Sequence, residues 1–142
     1  MSAVRTRSGV SFGALLAAGL AFAVDVFYLF VIHGQEDTAV TDARVLFVAG
    51  CLAGAAVFAA VGAVIPDGVL RVVLLAAAGC TLLAWTYLGA MSIGLLLLVP
   101  TILTIRAAVQ AAEALGGELS YGVAATAGFA ALALVAIGVA NT

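Results

Sequence analysis

The stretch Arg71-VVLLAAAGCTLLAWTYLGAMSIGLLLLVPTILTI-Arg106 decides the fold, because the 34 residues between its two arginines carry no charge. As a single helix rising about 1.5 Å per residue it would run roughly 50 Å, well beyond a hydrocarbon core of about 30 Å. The chain must therefore turn back on itself. Gly89-Ala90-Met91-Ser92-Ile93-Gly94 is the place, since two glycines and a serine interrupt otherwise continuous apolar sequence.

Working outward, 17 uncharged residues separate Arg7 from Asp25, 22 separate Arg44 from Asp67, and the 24 after Glu118 carry no charge. Each gap is about one membrane crossing. The expected architecture is an all-α polytopic transmembrane bundle forming a single integral membrane domain over 1–142. Its five spans fall at approximately 10–32, 42–64, 69–89, 92–112 and 119–141. The alternative is four spans plus a re-entrant or interfacial helix at 92–105, which is short for a crossing. Arginine can snorkel, so five spans are preferred.

Composition agrees: 66% of the 142 residues are hydrophobic and 8% charged, against about 25% charged in soluble domains. All five basic residues are arginines, at 5, 7, 44, 71 and 106, so no basic patch exists for nucleic acid. A cytoplasmic N-terminus puts four of them inside and leaves Arg44 outside. That orientation places a five-span protein in the plasma membrane with its C-terminus outside. Arg5 and Arg7 ahead of an apolar run, with Ala21-Phe22-Ala23 downstream, resemble a signal peptide and its cleavage site. The apolar run continues through Ile32, longer than a usual signal core, and the match is expected to be accidental. Pro66-Asp67-Gly68 and Gly116-Gly117 read as turns.

Asp25 is the one charge well inside a span. A carboxylate at mid-membrane costs about 2.5–3.5 kcal/mol on insertion scales, so it should face protein and have a partner. Helical spacing puts Ser11, Ala14, Ala18, Ala21, Asp25, Tyr28 and Ile32 on one side and Phe12, Leu16, Leu20, Phe27 and Phe30 on the other. The small side is the packing face. Arg44 lies at a similar level in the second span, which makes an Asp25–Arg44 ion pair the expected partnership. Tyr28, His33, Trp85, Thr86 and Tyr87 should share this layer, with Glu36, Asp37 and Asp42 in the loop above. The bland reading makes Asp25 a structural anchor and assigns Trp85 and the tyrosines to an interfacial belt. The sharp one gives Asp25, His33, Tyr28 and Tyr87 a role in proton transfer or catalysis.

The other polar features are weaker. A single histidine excludes a multi-histidine metal site within one chain, and no cofactor or metal is expected. Cys51 and Cys80, each beside a glycine, read as packing residues. Pro100 should kink the fourth span and free the Leu96 carbonyl, with Thr101 and Thr104 bonding back to the chain. Arg106, Gln110 and Glu113 should form a salt-bridged rim. Gly50 and Gly54, and Ala124, Gly128 and Ala131, mark close helix contacts within the chain or between copies. Gly-x-Ser-x-Gly, phosphate-loop and HExxH signatures are absent.

The functional expectation is a non-catalytic protein, either an accessory subunit of a larger membrane complex or a homo-oligomer with a transport or channel-like role. The alternative is a membrane-embedded enzyme acting on a hydrophobic substrate through the Asp25 cluster. A cavity of several hundred cubic ångströms at that level, open sideways to lipid, would favour the enzyme.

Overall fold

A computed structural model describes residues 10–34, 42–90, 93–116 and 118–142. They form five helices: α1 Phe12–His33, α2 Ala43–Val64, α3 Val69–Leu88, α4 Gly94–Ala114 and α5 Glu118–Asn141. All five are long and apolar enough to cross a membrane. The fourth has 21 residues, about 30 Å of helix, so the region after Gly94 is a full-length helix and not the short dip of the four-span alternative.

Local chemistry explains the boundaries. Ser11 caps α1 by accepting from the Ala14 N–H at 3.4 Å, and Asp42 caps α2 by accepting from the Arg44 N–H at 3.1 Å. Between α3 and α4 the chain reverses within five residues, and the Gly94 N–H donates to the Gly89 carbonyl at 2.6 Å. A Cβ on Gly94 would collide with the Thr86 carbonyl and the Gly89 main chain, so this reversal requires glycine. After α4, Gly116 takes φ +67°, the left-handed conformation that ends helices.

Helices α1 to α4 form a four-cornered bundle in which α1 packs on α2 and α4, and α3 packs on the same two. The fifth helix lies outside this ring against α3, touching α2 and α4 only slightly. The core is built from small side chains: Ala14, Ala17 and Ala21 of α1 are fully buried, as are Ala59 and Ala63 of α2. In lipid no hydrophobic force drives helix association, and alanine allows the close backbone approach on which dispersion contacts depend. Leu52, Leu75, Leu82 and Leu97 fill the space between. As the spacing predicts, Phe12 and Phe30 point outward, each 76% exposed.

Both glycine patterns resolve into distinct environments. Gly128 of α5 is buried against α3, where an added Cβ would lie 2.6 Å from the Cys80 sulfur, so the Ala124–Gly128–Ala131 stripe serves packing within the chain. Gly50 and Gly54 of α2 have open space around them.

Candidate functional site

Asp25 is set by α1, about 20 Å along the helix from Phe12 on a rise of 1.5 Å per residue. By the same reckoning Thr101 of α4 lies at a comparable height above the Ser11 end of the bundle. Asp25 is 5% exposed and continues the alanine face of Ala14, Ala18 and Ala21. Its Oδ1 is buried with no hydrogen-bond partner among the described residues. One turn further, half-buried Tyr28 lies within electrostatic reach of both Asp25 and Asp42, the exposed cap of α2. His33, the last residue of α1, is exposed.

Arg44 is engaged elsewhere. Its Nε donates to the main-chain oxygen of Thr142 at 2.8 Å, so it faces the end of α5 and not the α1 side of α2. The Asp25–Arg44 pair expected from the sequence is not a contact of this structure. The ion pair among the described residues joins Arg71 to Asp67, four positions apart across the start of α3. That arginine is 7% exposed, whereas the sequence places it only on the cytoplasmic side; its i,i+4 spacing from Asp67 is the signal that points to the pair. Arg106 and Glu113 are exposed and form no ion pair among the described residues, in place of the expected rim.

Trp85 also departs from expectation. It is 8% exposed and packs edge-on against Phe47 with ring centroids 6.2 Å apart, so it belongs to the core and not to an interfacial belt. Its Nε1 faces the Cys51 thiol but has no partner in hydrogen-bond geometry. Tyr87, 82% exposed, points away from the bundle. Glu36 and Asp37 lie outside the described residues.

Pro100 is fully buried inside α4. Thr101 Oγ1 donates to the Leu97 carbonyl at 2.7 Å and Thr104 Oγ1 to the Pro100 carbonyl at 2.7 Å. Both threonines bond back as expected, but to carbonyls other than that of Leu96. Thr101 also meets Thr86 of α3, oxygen to oxygen, at 2.9 Å. This hydroxyl pair is a polar clasp between α3 and α4 that the sequence did not announce.

Three sizeable grooves among the described residues lie along α5, and Asp25 lines none of them. A groove of about 360 Å³ runs between α2 and α5, with Phe47, Gly54 and Phe58 on one wall and Ala130 and Leu134 on the other. It adjoins a second of about 690 Å³ that reaches Glu118. A third, of about 720 Å³, is bounded by Leu83, Tyr87 and Leu88 of α3 and Leu132, Ala136 and Val139 of α5. The threonines in the first two, Thr81 and Thr126, spend their hydroxyls on the carbonyls of Ala77 and Gly122. These grooves therefore offer almost purely apolar surface. No family model, curated protein or solved structure matches the chain.

Proposed function

We propose that this multi-pass membrane protein is a non-catalytic subunit of a membrane assembly, in the simplest case one made of its own copies. The observation that carries this reading is the division between core and periphery. The four-helix ring is packed chiefly with alanine and leucine, while three sizeable apolar grooves flank α5. An enzyme would need its acid, base and substrate cavity together, and neither Asp25 nor His33 lines any of the three grooves. Tyr87 alone of the candidate residues does so. A helix that leans on one neighbour with open grooves beside it suits a surface completed by another membrane-embedded chain.

The test is the native mass of the protein in lipid nanodiscs, with cysteine cross-linking from Ala130→Cys and Leu134→Cys in the intact membrane. Cross-links to a second copy or to one other integral protein support the reading. A monomer that turns over a lipid-soluble substrate would overturn it. We place the chain in the plasma membrane with the Ser11 end cytoplasmic, on the arginine distribution. Gly68→Cys should then label only from the cytoplasm and Gly34→Cys only from outside.

A further inference from the structure

We infer that Asp25 is a proton-binding site, held in the bundle as the neutral acid and exchanging its proton with the His33 end through Tyr28 and Asp42. This goes beyond the subunit reading, which needs no titrating group.

The first support is geometric. Asp25 is 5% exposed, and its Oδ1 has no hydrogen-bond partner among the described residues. A carboxylate buried without a partner or counter-charge is far more costly than the neutral acid, which also brings a hydrogen to donate. The second is the absence of a suitable cation on the helices packed around it. On α1 the ionisable neighbours are Tyr28 and, two turns away, His33. On α2 they are Asp42, Cys51 and Arg44, whose Nε is on Thr142. The half of α4 from Gly94 to Ile105 contains no ionisable side chain, and its Arg106 and Glu113 belong to the Ser11 end. Across the ring, α3 offers Cys80 and outward-facing Tyr87, while Arg71 is paired with Asp67.

The third support is a graded path. Asp42 is exposed, Tyr28 half-buried and Asp25 buried, and Tyr28 is within electrostatic reach of both carboxyl groups. A phenol both donates and accepts, so a hydroxyl within electrostatic reach of a surface acid and a buried one is chemically suited to passing a proton when side-chain rotation brings it into hydrogen-bond contact with each in turn. No bond other than O–H is made or broken.

The test uses the full chain in membranes at neutral pH, treated with dicyclohexylcarbodiimide, an apolar reagent that attacks protonated carboxyl groups. Mass spectrometry should find the N-acylurea adduct on Asp25, with Asp42, Asp67 and Glu113 unmodified. Infrared spectra should show a carboxylic-acid C=O band that Asp25→Asn removes. Tyr28→Phe should keep that band but slow its shift in D2O several-fold. Absence of both the adduct and the band would overturn the proposal, since Asp25 would then be ionised. Protection by sodium at constant pH would overturn it in favour of a metal cation. Unchanged exchange in Tyr28→Phe would remove the path through that hydroxyl.

Discussion

The Arg44 guanidinium reaches the main-chain oxygen of Thr142, 98 positions further along, with Nε at 2.8 Å. This bond joins the first turn of α2 to the end of α5. At the opposite end of the bundle the Ser11 N–H donates to the Ala63 carbonyl at 3.0 Å, joining the start of α1 to the end of α2. Together the two are as expected for α2 running antiparallel to both α1 and α5. In a background with Cys51 and Cys80 replaced by alanine, Arg44→Cys and Thr142→Cys should be joined within one chain by a short disulfide-containing bismaleimide, which spans the length of the arginine side chain that a direct disulfide would not. The check is a mobility shift reversed by reductant. A cross-link found only between chains would contradict the arrangement.

The same contact bears on Asp25. With Arg44 occupied by α5, the two residues should contribute independently to stability. Asp25→Asn keeps the shape of the side chain and should change unfolding free energy by less than about 1 kcal/mol, a typical value for one neutral hydrogen-bonding group. Combined with Arg44→Gln, the effects should add within about 0.5 kcal/mol, as for sites sharing no partner. Detergent-induced unfolding of the four variants measures this. A coupling of several kcal/mol would restore the ion pair that sequence spacing suggested.

What was legible in the sequence, and what was not, follows from the range of the forces involved. Charge gaps and helix rise are local quantities, and they placed all five helices to within two residues at each end. The alanine face of α1 was legible for the same reason, since its period belongs to one helix. The orientation of Arg44 was not, because its partner lies 98 positions away and depends on where α5 docks. Trp85 was misplaced because amphipathic aromatics near a span end favour the interface in general, whereas here Phe47 of α2 supplies an apolar wall. The Thr86–Thr101 clasp required knowing which faces of α3 and α4 meet.

Two glycine-to-alanine substitutions should act in opposite directions. At Gly50 an added methyl meets nothing within 4 Å, so alanine should stabilise α2 by roughly 0.5–1 kcal/mol through helix propensity. If that face contacts a second copy, the same change should also weaken assembly. At Gly94 the methyl would meet main-chain atoms of Gly89 and the Thr86 carbonyl, which no rotamer change can relieve. Gly94→Ala should cost at least about 1–3 kcal/mol by overpacking. Thermal unfolding in one detergent decides both signs.

Arg71 and Asp67 supply a test in which the smaller substitution does more damage. The arginine is almost wholly buried, whereas the Asp67 side chain is 37% exposed, so the pair sits across a boundary. Asp67→Asn leaves the turn chemistry of Pro66-Asp67-Gly68 intact, since asparagine suits the same turn positions. It removes the counter-charge, however, and strands a buried guanidinium whose Nε already lacks a partner among the described residues. Breaking a fully buried pair from one side costs about 3–5 kcal/mol; partial exposure of Asp67 reduces the expectation to roughly 1–2 kcal/mol. Arg71→Met removes the buried charge with little change in volume, and such replacements are often neutral. Asp67→Asn should therefore lower stability more than Arg71→Met, and Arg71→Met should rescue the Asp67→Asn protein. Unfolding midpoints of the two single variants and the double variant measure the order. The reverse order, with Arg71→Met the more damaging, would mean that the arginine's stem and remaining N–H groups hold the start of α3 independently of Asp67.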